Sequence, residues 1–334
     1  MKRSLILLLL ISMVFITGCG PVSDTSSGKQ TIRVSLILGD NSDWYLGLTK
    51  WQERLEKETN GRIKVQIYPN ASLANNNQRT ELDMVQSGAI DASLESTITL
   101  STLNPAFTAF SLPWLFPDYQ KAAEFCDGPV GTKFLGLLPE KNLIGLAYGV
   151  NGFRQITNNK REIKTPADLK GMKIRIPLIK MYIDFFKLYG ADPSSMNFGE
   201  LMTALASGTM DGQENPVHVL ESAKLYEIQK YVTVWNYSYD PLVLCMNKGF
   251  YEKFSPKDRE LLERTAREAF SLQRDWVAQH EIETLESLKE KGMKVTVLTP
   301  QQIEPFKKSA LPIYTQYRDV IGAELMDSVM KTAQ

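Results

Sequence analysis

The chain predicts a two-lobed α/β protein on three observations. Its N-terminal third alternates strand and helix in the order β-α-β-α-β, the alternation starts again after residue 143, and one long uninterrupted helix follows both runs. Thr31–Leu38 (TIRVSLIL) opens the first run as a strand. Asp43–Asn60 carries Trp44, Leu48, Trp51 and Leu55 at helical spacing, and Gly61 stops that helix. Arg62–Pro69 then alternates cleanly as a second strand. A helix around Arg79–Gln86 and a strand around Ala89–Leu94 complete the pattern, which builds a parallel sheet with helices on its faces.

The second run begins with a strand at Leu143–Val150. Thr165-Pro166-Ala167-Asp168 reads as a capped helix start, with threonine at the N-cap and proline at the first helical position. A strand over 171–177, a helix near Ile179–Tyr189, a short strand near Met196 and a helix at Glu200–Ala206 follow. Tyr231–Asn236 and Pro241–Met246 are two further apolar strand candidates. The chain thus divides into a first lobe (31–150 and 238–255) and a second (151–237), crossing near 150 and returning near 238. Ser255 caps the next helix, Pro256 suits its first position, and neither proline nor glycine interrupts it before Gly292. About 36 residues at 1.5 Å each make a rod of roughly 54 Å, long enough to brace both lobes. Residues 293–334 form a C-terminal segment packing on them.

The extreme N-terminus addresses the compartment. Met1-Lys2-Arg3 is a basic start, Ser4–Ile16 a short apolar run, and Ile16-Thr17-Gly18-Cys19 follows at once. The tetrapeptide resembles the lipobox of bacterial lipoproteins, which implies a signal peptide over 1–18 and a lipid-modified Cys19. An ordinary cleaved signal is the alternative. Residues 19–30 have almost nothing to bury and read as a flexible tether. The protein is therefore expected outside the cytoplasm, lipid-anchored to a bacterial membrane on its periplasmic side or at the outer cell face. Lys and Arg total 38 and Asp and Glu 38, so no long-range field points to nucleic acid or an anionic membrane. Cys126 and Cys245 either pair or remain two buried thiols; their positions fit both.

In GMKIRIP (171–177), Met172, Ile174 and Ile176 share one strand face and Lys173, Arg175 and Pro177 the other. Pro177 ends the strand beyond Arg175. Ligands of open α/β sheets bind at strand carboxyl ends, so Arg175 is a candidate ligand contact, with a structural salt bridge as the other reading. Asn151-Gly152-Phe153-Arg154-Gln155, Met196-Asn197-Phe198 and Asp211-Gly212-Gln213-Glu214-Asn215-Pro216 also place polar groups in apolar surroundings. Two arginines, an aromatic ring and an amide converging there suit a planar anion, because guanidinium presents a rigid fork to a carboxylate.

NGFRQITNN, TPADLKGMKIRIP, LMTALASGTMDGQENP and LPWLFPDYQKA together resemble the solute-binding subunits of tripartite ATP-independent periplasmic (TRAP) transporters, the group typified by C4-dicarboxylate-binding proteins. The similarity runs from about Ile32 to near residue 330. It implies a two-lobe periplasmic binding fold that closes over an organic acid and delivers it to membrane permease subunits, with no cofactor and no catalysis. By this resemblance Arg175 grips the substrate carboxylate, Arg154 is a second site arginine, Asn215 is the asparagine of the QEN motif and Phe198 the pocket aromatic. Glu95 corresponds to an acidic residue of the first lobe, which would repel a second carboxylate and suit hydroxyl groups, or pair with an arginine on closure. Asn236 falls at another cleft position. Asn77, in the run Asn75-Asn76-Asn77, stands where some members carry acidic residues. Trp44 and Asn41 lie in a loop that varies with substrate.

Two arginines fit a dicarboxylate such as succinate, whereas Glu95 favours a hydroxylated sugar acid such as a uronate or aldonate. Signalling to a sensor kinase is an alternative use of the same binding. A metal-dependent enzyme is a further one, since Glu214 and His218 lie four apart with Asp211 nearby. Pro216 disfavours a helix through both, only His280 adds a second histidine, and no metal is expected.

Overall fold

The computed structural model describes residues 28–333, so the expected signal peptide and Cys19 lie outside the described residues. The strands are β1 (Gln30–Ser35), β2 (Ile63–Tyr68), β3 (Ala92–Ser96), β4 (Leu143–Asn158), β5 (Lys173–Ile176), β6 (Asp192–Ser195), β7 (Gly212–Pro216), β8 (Tyr231–Asn247) and β9 (Lys294–Val297). They form one sheet in the order β2-β1-β3-β8-β4-β7-β5-β6, with β9 pairing β8. The sheet is mixed. β1 pairs parallel with β2 and β3, and β5 parallel with β6 and β7, while β8 runs antiparallel to β3 and β4, and β4 antiparallel to β7.

The two lobes share their long strands. β4 has 16 residues and β8 has 17, about 53 and 56 Å at 3.3 Å per residue. They pair along their length, β8 meeting β3 at Leu242–Met246 and β9 at Tyr231–Val234. Their register slips at Gly145/Ala147, Val150/Gly152 and Arg154/Ile156, and such bulges bend a strand and raise its twist. The middle slip depends on Gly152, whose φ of 128° lies where a side chain is strained. It brings Val150 opposite Pro241, a residue tolerated within a strand because the ladder is already irregular there.

Both long strands outrun their sequence reading. Polar residues continue through buried positions, Asn151 and Arg154 hydrogen-bonded to Asp240 and Ser238 to Tyr182 and the Ser111 carbonyl, so hydropathy marks an end where the backbone continues. β7 is likewise fully buried with the sequence GQENP. The helix Asp43–Glu58 buries Trp44, Leu48, Trp51 and Leu55, as their spacing requires.

The long helix is a single element, Pro256–Glu290, with Ser255 accepting from the Asp258 amide at its N-cap. Its Phe270 packs on Gly47 and Gly149, and Val277 accepts at its carbonyl from the ring of His218, so it touches the first helix, β4 and the segment after β7. The C-terminal helix Pro300–Ile321 docks through three tyrosines: Tyr189 donates to the Phe306 carbonyl (2.8 Å), Tyr314 to the Pro113 carbonyl (2.7 Å) and Tyr317 to Asp184 (2.6 Å). Cys126 and Cys245 are separate buried thiols, which resolves the open pairing. Among the described residues no helix is long and apolar enough to cross a membrane.

Candidate functional site

A narrow cavity of about 40 Å³ lies where the two halves of the sheet face each other. Ile37, Leu38, Trp44, Gln78, Ser96, Ile98 and Thr99 wall it from the first half. Arg154, Arg175, Pro177, Phe198, Asn215 and Val219 wall it from the second, and Asn151 and Asp240 reach it from the shared strands. Two larger surface grooves, about 630 and 690 Å³, carry paired charges such as Arg264–Glu58 and Arg274–Asp127. The smaller cavity differs because it contains a buried cation with no carboxylate hydrogen-bonded to it.

That cation is Arg175. β5 is covered on both faces, so Ile174, Arg175 and Ile176 are all buried and the expected alternation of exposure fails. Its Nε and Nη2 donate to the Met196 carbonyl at 3.1 and 2.7 Å, and the Phe198 ring lies 5.9 Å from Cζ. No carboxylate is hydrogen-bonded to it among the described residues; burial pulls its pKa down to about 10, partly offset by the charge of Glu214 and reinforced by Arg154. It remains charged at neutral pH. An incoming carboxylate would supply the missing counter-ion.

Arg154 is in the opposite condition. Nε and Nη2 donate to the Glu214 carboxylate, Nη2 also to the Glu214 carbonyl (2.9 Å) and Asn215 Oδ1 (3.0 Å), and Nη1 to Asp240 Oδ2 (2.8 Å). Burial opposes its charge, but Glu214 and Asp240 outweigh burial and hold the guanidinium charged. Tyr237 donates to Glu214 (2.7 Å), Asn151 to Asp240 Oδ2 (2.8 Å) and Ser96 to Asp240 Oδ1 (2.6 Å). Burial pushes the Asp240 carboxyl up, against the pull of Arg154, Asn151 and Ser96. The Trp44 indole donates to Asn151 Oδ1 (2.9 Å), and Asn215 donates to Gln213 (2.5 Å).

The structure thus brings together Arg175, Arg154, Asn215, Phe198 and Trp44, and leaves out three other expected positions. Glu95 is fully buried away from the cavity, accepting from Ser93 (2.7 Å); burial and then Glu81 raise its pKa strongly. Its neighbour Ser96 lines the cavity instead, a displacement of one residue in a strand whose faces alternate. Asn236 is exposed, with φ 46° at an irregular stretch of β8, and accepts from Gln155 (2.5 Å). Asn77 is the N-cap of the helix Gln78–Ser87, accepting from the Thr80 amide (3.0 Å), and the next residue, Gln78, reaches the cavity. Asn41 is exposed and donates to the Ser222 carbonyl across the lobes (3.0 Å).

Asp240 escaped the sequence reading because it sits within an extended run with no motif around it, and Asn151, though it opens the NGFRQ stretch, was not singled out as a contact. The available signal was charge: a buried aspartate inside an apolar strand needs a cation, and Arg154 was the candidate. Glu214 and His218 do not form a metal pair. Glu214 belongs to β7 and is bound to Arg154 and Tyr237, whereas the helix carrying His218 starts after Pro216 and the ring contacts Val277 and Thr284.

A two-lobed sheet protein with a buried, unpaired arginine between its lobes is built to hold a small anion. Residues 34–319 match the family described as bacterial extracellular solute-binding protein, family 7, and the chain belongs to it; this is the TRAP solute-binding group, whose members serve transport and are not enzymes. The 2,3-diketo-L-gulonate-binding periplasmic protein YiaO of Escherichia coli (strain K12) is 33% identical over 322 residues, covering 95% of this chain and 96% of its own. The C4-dicarboxylate-binding protein DctB of Bacillus subtilis (strain 168) is 29% identical over 92% of this chain and 89% of its own. A crystal structure of a TRAP periplasmic solute-binding protein from Ralstonia eutropha H16, with bound (S)-2-acetolactate, superposes with a TM-score of 0.86 at 36% identity, covering 91% of this chain and 98% of that one.

Proposed function

We propose that this protein captures a small organic acid, a sugar acid or a C4-dicarboxylate, in the cavity between its lobes and hands it to the membrane subunits of a TRAP transporter. Arg175 receives the carboxylate, and Phe198, Asn215 and Trp44 frame it. One observation carries this reading: Arg175 is buried at the cavity with no carboxylate hydrogen-bonded to it, so its guanidinium is open to one from an incoming acid. The lobes 31–150 with 238–255 and 151–237 close by rotating about the β4–β8 crossing, where the register slips at Gly152. Cys19 carries the lipid that keeps the protein at the membrane.

A thermal-shift screen of aldonates, uronates, dicarboxylates and aromatic acids tests the ligand class, because a tight ligand raises the melting temperature by mass action. Stabilisation by carboxylic acids supports the reading; a panel in which only uncharged or cationic solutes stabilise overturns it. Metabolic labelling with a radioactive fatty acid tests the anchor: label in the wild type and none in Cys19→Ala is expected, and equal labelling contradicts it.

A further inference from the structure

Resting on the reading of this cavity as the solute site, we propose that Asp240 makes it selective for monocarboxylates bearing hydroxyl groups and against dicarboxylates. Two arginines line the cavity, and by number alone they suit two carboxylates. The hydrogen bonds say otherwise. All three nitrogens of Arg154 are engaged by Glu214, Asp240 and Asn215, and both carboxylates are fully buried with it. Arg154 therefore has no charge to offer, and Arg175 alone is open to an anion.

The balance around the cavity follows directly. Glu214 and Asp240 together carry two negative charges against the two guanidinium groups. One bound carboxylate on Arg175 already leaves the cluster with a net negative charge. A second carboxylate would lie in a buried space with no cation to meet it and with Asp240 in the wall, where like charges repel strongly and desolvation is not repaid.

What the wall does offer is acceptors. An ionised carboxylate has about four acceptor positions. Asp240 Oδ2 takes Arg154 Nη1 and Asn151 Nδ2, both at 2.8 Å, whereas Oδ1 takes only the Ser96 hydroxyl, at 2.6 Å. One position on Oδ1 is left for a donor. A solute hydroxyl can donate to it and a carboxylate cannot. Gln78 and Thr99, on the same wall, supply further polar groups for a hydroxylated chain. Selection thus works both ways, with a hydrogen bond for the hydroxy acid and repulsion for the diacid.

The test is calorimetry on the full-length mature protein with acids of matched length: 2,3,4-trihydroxybutanoate against succinate, and a hexonate against adipate. At least one hydroxy acid should bind 100-fold or more tighter than its diacid. In Asp240→Asn, which keeps the shape and removes the charge, the hydroxy acid should weaken tenfold or more while the diacid improves. A merely structural role for Asp240 would weaken both together. Should that variant fold poorly, the wild-type ratio decides alone. Diacid affinity within tenfold of its partner, or binding by neither series, overturns the proposal. If diacids bind equally and Arg175→Ala abolishes both, the selectivity fails and the site stands; a hydroxy-acid preference untouched by Arg175→Ala removes the site itself.

Discussion

Gln273, at the middle of the long helix, binds both backbone groups of Val150: its Nε2 donates to the Val150 carbonyl at 2.7 Å and its Oε1 accepts from the Val150 amide at 3.0 Å. Val150 is the β4 residue opposite Pro241, which has no N–H to give. The helix therefore supplies a peptide-like partner where the sheet cannot, at the place where the two lobes meet. This is how a rod that spans both lobes is keyed to the crossing between them.

Removing that partner leaves two buried backbone groups unmet. Gln273→Ala should destabilise the fold by about 2–3 kcal/mol, and Gln273→Met, of similar volume, by nearly as much, because packing is not what is lost. Urea unfolding of the two variants checks this; a Met variant as stable as wild type would assign the effect to volume alone.

Arg154 and Arg175 should behave oppositely in the acid-free protein. Arg154→Met strands Glu214 and Asp240 without their shared cation and should cost about 3–5 kcal/mol of stability. Arg175→Met removes a buried charge with no carboxylate hydrogen-bonded to it and should cost less, about 1 kcal/mol. Chemical denaturation of both, without added acid, separates them. Equal losses would mean that Arg175 is as firmly partnered as Arg154.

Stability should fall as pH rises through the neutral range. Burial holds the Asp43 carboxyl up to about 7, against the pull of the Asp43 and Trp44 backbone amides. Glu81 and Glu95 are raised as well, by burial and, for Glu95, by Glu81. The folded state thus keeps protons that the unfolded chain releases near pH 4, so the stabilising contribution is full below that pH and is lost on the way up. For Asp43 the window is pH 4–7, with a slope of at most about 1.4 kcal/mol per pH unit. Denaturation midpoints at pH 5 and pH 8 should differ in that sense, and Asp43→Asn should flatten part of the slope. A midpoint that climbs with pH contradicts the assignment.

Elements with one apolar face were legible from residue pattern. The helix carrying Trp44, Leu48, Trp51 and Leu55 and the long helix from Pro256 emerge nearly at their expected bounds. Elements buried on both sides were not. β7, β4 beyond Val150 and the middle of β8 carry polar residues whose burial is stabilised by partners far away in sequence, as Arg154 is by Glu214 and Asp240. The site divides the same way. Arg175 was marked by a charge in an apolar strand before a proline, whereas Glu95 and Asn77 each stand one position from the residue that reaches the cavity, Ser96 and Gln78. A one-residue displacement changes the face of a strand and is invisible to a motif. That Arg154 is spoken for is a fact of three dimensions, since its partners lie 60 and 86 residues away.

The most direct test of the central claim is titration calorimetry of wild type, Arg175→Lys and Arg175→Ala with whichever carboxylic acid stabilises the wild type best. The expected loss for Arg175→Ala is about 2–5 kcal/mol of binding free energy, with Arg175→Lys also weaker because an ammonium cannot reproduce the guanidinium fork. Affinity unchanged in Arg175→Ala would contradict the account, since the buried cation between the lobes would then not be what the anion meets.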